Sequence, residues 1–160
     1  MQNLASKIIS SPVCNLRLLK TDKKLVFTNG IFDILHAGHV AYLEAARNLG
    51  DLLIVAVNDD ESAHGLKGPG RPINPLADRM TVLAALESVS IVLPLCAPTN
   101  EVMLYAIRPD IWAKGGDYTL ATLNLSERAI ADNLGIQIQI LPLSNGYSTT
   151  STLRKIAAAR

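Results

Sequence analysis

The chain has 160 residues, of which 49% are apolar and 18% charged, and its net charge is +1. A chain of this length buries roughly 70% of its unfolded surface in one domain without disulfide or metal staples, and this composition excludes a disordered, strongly charged tail protein. The near-zero charge gives no field pointing to nucleic acid or to a membrane surface. Cys14 and Cys96 have no companion Cys/His cluster, so free thiols are expected. "MQNLASKIIS" lacks a basic-then-apolar leader, and no stretch reaches the ~20 apolar residues of a spanning helix, so a cytoplasmic protein is expected.

Residues 1 to 24 read as an N-terminal extension, expected to be helical, and residues 25 to 160 as the folded domain. "LVFT", 25 to 28, is a short buried strand that yields to a turn at Asn29-Gly30. A helical pattern begins near His39, carries Val40, Leu43 and Ala46 on one face, and stops at Gly50. "LLIVAVN", 52 to 58, is a continuous apolar run ending in Asn58-Asp59-Asp60, as expected of a central parallel strand.

Residues 65 to 75, "GLKGPGRPINP", hold too many glycines and prolines for a regular element and read as a loop. A helix follows, with Asn74 as N-cap and Pro75 at its first position. "IVLPL", "TNEVMLYAI", "DIWAKGGD", "SERAIADNLG" and "IQIQILPL" then alternate strand and helix, and after the turn "SNGY" a last helix runs from about Thr149.

Five strands with right-handed crossover helices predict an α/β fold: a three-layer Rossmann-like domain with a five-stranded parallel sheet and helices on both faces. Ligands in such sheets bind at the carboxyl ends of the strands. The polar clusters lie there: Asn29-Gly30 with His36 and His39, Asn58 to Asp60, Lys114 to Asp117, and Ser148 to Thr150.

His36 and His39 are two of only three histidines. Their spacing admits a metal site, a phosphate site or two structural side chains. Metal is the weakest reading, because no third ligand stands at zinc spacing. Phosphate is favoured by position: Ala37-Gly38 allow close approach, and His39 sits at a helix N-terminus whose free N–H groups attract anions. Two imidazoles there can hold a triphosphate and offset transition-state charge without acting as bases or nucleophiles. His64 reads as a surface histidine, Trp112 as core, and Tyr147 as either a packing group or a cover for a base.

"GIFDILHAGH" resembles the HxGH signature of the cytidylyltransferase-like nucleotidyltransferases. "FTNGIFDILHAGH", "LKGPGRPINPLADRM", "KGGDY" and "STT", in that order over about residues 25 to 157, resemble the members of that family that make ADP-heptose. "LKGPGRP" and "GYSTTSTLRK" depart modestly from the family pattern. The resemblance implies transfer of a nucleoside monophosphate to a phosphate oxygen, with release of pyrophosphate, Mg2+ accompanying ATP, no protein-held metal and no covalent intermediate.

By the same resemblance His36, His39 and Lys67 would serve catalysis, and Ile31, Phe32, Gly38, Ser148, Thr149 and Thr150 would join them in holding the nucleotide. Asp33, Asn58, Asp60, Arg71, Lys114, Gly115 and Asp117 would bind the second substrate, a sugar 1-phosphate, with D-glycero-D-manno-heptose 1-phosphate expected. Several have a plainer alternative. Lys67 could be a solvated loop lysine, Asp33 a turn cap, and Asp60 a helix N-cap, while Arg79 could pair with an acidic residue. The rival activities are a cytidylyltransferase for glycerol 3-phosphate or a related alcohol phosphate, and a nucleotide-binding regulatory module without catalysis. A homodimer and a heptose kinase as a separate protein complete the expectation, since 160 residues leave no room for a kinase domain.

Overall fold

A computed structural model describes residues 4–10, 22–116, 118–142 and 147–159. Its strands are β1 (Leu25–Gly30), β2 (Leu52–Asn58), β3 (Ile91–Leu95), β4 (Ile111–Gly115) and β5 (Gln137–Leu141). They form one parallel sheet in the order β3-β2-β1-β4-β5. The helices are α1 (Ala37–Arg47), α2 (Asp60–Lys67), α3 (Leu76–Ala84), α4 (Glu101–Ile107), α5 (Leu125–Leu134) and α6 (Thr149–Ala158). From β1 the chain winds outward through β2 to β3, then returns to β4 on the other side of β1. The order therefore reverses between β1 and β4, and a crevice opens there at the carboxyl edge.

Alternating side chains of the central strands feed two cores. On one face Val26, Val55, Val57 and Ala113 pack against Tyr42, Leu43 and Ala46 of α1 and Met80 and Leu83 of α3. On the other, Phe27, Ile54, Ala56 and Trp112 pack against Met103, Leu104 and Ile107 of α4 and Ala131 of α5. Helices on both faces make this a three-layer Rossmann-like domain, as the alternating pattern predicts.

Several boundaries differ from the sequence reading, each for a local reason. The β1 strand continues through Asn29 and Gly30, which pair in register with Ala56 and Val57. The first helix starts at Ala37, ahead of His39, because His36 acts as its N-cap: the ring Nδ1 accepts from the His39 amide at 3.3 Å. The supposed loop at 65 to 75 is helical as far as Lys67. Asp59 caps α2 by accepting from the Ser62 amide at 2.8 Å, and the helix ends at Gly68, whose φ of 87° stops it. Asn74 does not cap α3; its side chain donates to the Asp33 carbonyl at 2.7 Å, and Pro75 takes the cap position.

Residues 4–10 of the extension lie against the sheet. Leu4–Lys7 form a short 3-10 helix, Ile8 bridges Val92 in parallel, and the Ile9 amide donates to the Val92 carbonyl at 2.9 Å. Backbone groups alternate sides along a strand, so Pro94, two residues on, faces the same outer edge as Val92. Its missing N–H costs β3 no bond to β2.

Arg79 of α3 has a side chain with no solvent exposure, and it pairs with Asp60, whose side chain is 52% exposed. Its guanidinium donates to the Ile31 carbonyl at 2.6 Å, the Asn74 carbonyl at 2.9 Å and Asp60 at 2.7 Å. Arg79→Ala strands two carbonyls and leaves a cavity, so we expect a loss of about 3 kcal/mol or more. Asp60→Asn keeps an acceptor for the same N–H and should cost about 1 kcal/mol or less. Urea midpoints of the two variants test the contrast.

Candidate active site

Beyond Gly30 the chain turns sharply. Phe32 adopts a left-handed φ of 49°, a conformation bulky residues take only when their surroundings impose it. Its ring folds back over Gly30, where an added Cβ would lie 2.9 Å from the ring. Asp33 follows, 5% exposed. Its carboxylate accepts from Arg71 Nε at 2.8 Å and from the Ile73 and Asn74 amides at 2.9 Å. Burial alone would raise its pKa; the Asn74 and Ile73 amides and the Arg71 guanidinium outweigh that and hold the carboxyl below its usual 3.8.

Three residues further on, His36 and His39 stack with ring centroids 3.8 Å apart and planes inclined by 14°. Accepting the His39 amide through Nδ1 places the His36 proton on Nε2. Phe32 meets His39 edge-on at 5.5 Å, and Tyr147 stacks on His36 at 5.9 Å. Gly38 makes room for this arrangement, since a Cβ there would sit 2.9 Å from the Tyr147 Cβ and 3.1 Å from the His36 ring. Burial lowers the pKa of His36, and burial followed by repulsion from His36 pushes His39 down to about 4. Both rings are therefore neutral near pH 7.

These groups open onto a cavity of about 700 Å³. Ile31, Phe32, Asp33, His36, Gly38, His39, Asn58, Lys67, Arg71, Lys114, Gly115, Ser148, Thr149 and Thr150 all line it. Lys67 reaches it from the last position of α2, not from a loop. Asp33 is committed to the 71–74 segment, and the Ile31 carbonyl to Arg79. Asp60 does not line the cavity: its partner is Arg79, and the N-cap role falls to its neighbour Asp59. Asp117 lies outside the described residues. Ser148 caps α6 by accepting from the Ser151 amide at 3.0 Å.

Lys114, 7% exposed, donates to Asn29 Oδ1 at 3.2 Å and lies 4.8 Å from the ring centroids of both Trp112 and Tyr118. Burial lowers its pKa, and the charge of Glu127 partly offsets that. The sequence reading missed Tyr118, Asn100 and Glu127, which also line the cavity. Glu127 did leave a signal: Asn124 and Glu127 stand at capping-box spacing.

A family model described as cytidylyltransferase-like matches residues 27–155. The chain belongs to the cytidylyltransferase-like family. It is a nucleotidyltransferase, and the cavity at the β1–α1 corner is where its HxGH histidines converge. A protein of Alcanivorax borkumensis named bifunctional protein HldE is 48% identical over 134 residues, which are 84% of this chain and 28% of that one. The namesake from Sodalis glossinidius is 51% identical over 134 residues, 84% of this chain and 27% of that one. The chain thus spans less than a third of the length of these curated relatives.

Among solved structures, a lipopolysaccharide core biosynthesis protein of Thermoplasma volcanium matches with a TM-score of 0.64 at 28% identity, over 79% of this chain and 99% of that one. Pantothenate synthetase of Thermus thermophilus matches with a TM-score of 0.62 at 15% identity, over 93% and 70%, a likeness of fold alone. Among the described residues no helix is long and apolar enough to cross a membrane.

The lowered pKa of His39 links stability to pH. Above its ordinary 6.5 both folded and unfolded chains hold a neutral ring; between 6.5 and about 4 the unfolded chain binds the proton first, so stability falls as pH drops. With solvent reaching part of the ring, the loss by pH 4 is on the order of 2–3 kcal/mol. Urea midpoints between pH 7 and 4 should fall more steeply for the native protein than for His39→Gln. Asp33 acts only below its usual 3.8, so the two windows separate.

Proposed function

We propose that this nucleotidyltransferase moves AMP from ATP to the phosphate of a sugar 1-phosphate, D-glycero-D-manno-heptose 1-phosphate, giving ADP-heptose and pyrophosphate. The observation that carries the reading is one cavity lined by two neutral imidazoles, the N-termini of α1 and α6, and Lys114. The choice of adenine and heptose rests on the resemblance of "LKGPGRPINPLADRM", "KGGDY" and "STT" to the family members that make ADP-heptose. The likeness to a lipopolysaccharide core biosynthesis protein agrees with such a product.

An oxygen of the sugar phosphate attacks the α-phosphorus in line; a new P–O bond forms, the bond to the β-phosphate breaks, and its electron pair leaves with pyrophosphate. The attacking phosphate arrives already ionised, so no general base is required. Neutral imidazoles suit this chemistry as donors to the α-phosphate oxygens, and the approaching anion raises their pKa, strengthening the contact as charge develops. Amides at the start of α6, beside Ser148, Thr149 and Thr150, hold the departing phosphates, with Lys67 reaching in from α2. Magnesium belongs to this proposal as the triphosphate's counterion, and it would offset phosphate charge. Among the described residues no three His, Cys, Asp or Glu side chains gather as a cage for it.

Pyrophosphate release from ATP, magnesium and the heptose 1-phosphate tests the assignment. Release only with CTP and glycerol 3-phosphate replaces it with the rival transferase, and nucleotide binding without any product replaces it with a regulatory module. His39→Ala should lower kcat by about 10²–10³ while the thermal melt stays cooperative. Near-native turnover returns the pair to a structural role.

A further inference from the structure

Across the sheet edge from the histidines, the cavity wall is built by Thr99 and Asn100 ahead of α4 and by Thr122, Asn124 and Glu127 around the start of α5. Each carries a hydrogen-bonding side chain, and the transfer step uses none of them. Glu127 stands out because it is charged yet only 6% exposed. Its Oε1 accepts from the Asn100 amide at 2.6 Å and from Asn100 Nδ2 at 2.9 Å. That oxygen is satisfied, while Oε2 accepts no hydrogen bond from the described residues.

Helix capping does not account for this carboxylate. Asn124 already caps α5 by accepting from the Ser126 and Glu127 amides, and a capping-box Glu would turn back to the amide of its own N-cap. Glu127 crosses to Asn100 instead. A glutamine could take the same two bonds through its carbonyl without the cost of a buried charge. The charge of Glu127 attracts the Lys114 ammonium, and its Oε2, which is not sealed from solvent, is left free on a residue that lines the cavity, where a ligand hydroxyl can donate to it.

We propose that Glu127 determines acceptor specificity by accepting a sugar hydroxyl through Oε2, with Asn100 as the residue that positions it. This rests on the reading of the acceptor as a sugar phosphate. A carboxylate only accepts, so it selects O–H donors and repels a second phosphate. The imidazoles and helix N-termini at one end, Lys114 between, and Glu127 at the other give the cavity a polarity. An acceptor carrying one phosphate fits with that phosphate toward the histidines and its hydroxyls toward Glu127.

The test is calorimetric binding of D-glycero-D-manno-heptose 1-phosphate, its monodeoxy analogues and magnesium ATP to the native protein, Glu127→Ala and Glu127→Gln. Both variants should lose about tenfold in affinity for the sugar phosphate and stay within about twofold for magnesium ATP. For at least one hydroxyl, its removal from the sugar should cost the native protein about tenfold and Glu127→Ala less than twofold. Equal costs at every hydroxyl, or a loss of ATP affinity in place of sugar-phosphate affinity, overturn the role given to Glu127 and leave the adenylyltransferase reading intact. Native protein that binds magnesium ATP but not the sugar phosphate overturns both. Should Glu127→Ala fail to fold, Glu127→Gln, which can still hold Asn100, carries the same comparison.

Discussion

The corner after β1 is held by a buried carboxylate and a buried guanidinium that grip it together with a segment some forty residues downstream. Asp33 gathers the Ile73 and Asn74 amides and the Arg71 side chain, and Arg79 spans from the Ile31 carbonyl to the Asn74 carbonyl. Without those bonds a bulky residue at φ 49° would relax, since such a conformation costs on the order of 1 kcal/mol or more. The turn sets where α1 begins, and the start of α1 sets where both histidines stand. The corner that presents both histidines is therefore a tertiary construction, though its HxGH residues are contiguous.

Electrostatics at the corner work by withheld charge. Burial and mutual repulsion keep the stacked imidazoles neutral, and burial depresses Lys114 while Trp112 and Tyr118 flank its ammonium. Each group gains more from an anion than a solvated counterpart would, because little water has to be displaced and the local dielectric is low. An anion bound there would relieve a cost that the folded protein carries.

What the sequence disclosed depended on how local the cause was. The β2 and β3 strands could be read to the residue because a strand buried on both faces must be a continuous apolar run. The α2 helix was hidden because "GLKGPGRP" reads as a loop by composition, whereas Asp59 starts a helix upstream that outlasts the first glycine. Asp60 resembled a ligand until its partner was known, and that partner lies on another helix. The Asn100–Glu127 pair has no periodicity to find. It exists because α4 and α5 pack side by side on one face of the sheet, a fact of topology and not of spacing.

The two walls of the cavity come from opposite faces of the sheet, with strands β1 and β2 and their two cores between them. On the α1 side, backbone amides and imidazoles stand at helix starts, an arrangement that depends on where the chain runs more than on which side chains surround it. The opposing wall includes Asn100, Thr122, Asn124 and Glu127, which belong to segments other than the β1–α1 corner, so a substitution there need not disturb that corner. The fold itself is shared with an enzyme only 15% identical, so the architecture tolerates wide change in its residues. On the proposed function, a nucleotidyltransferase built this way can keep its reaction and change its acceptor, because different layers of the same sheet would support the two tasks.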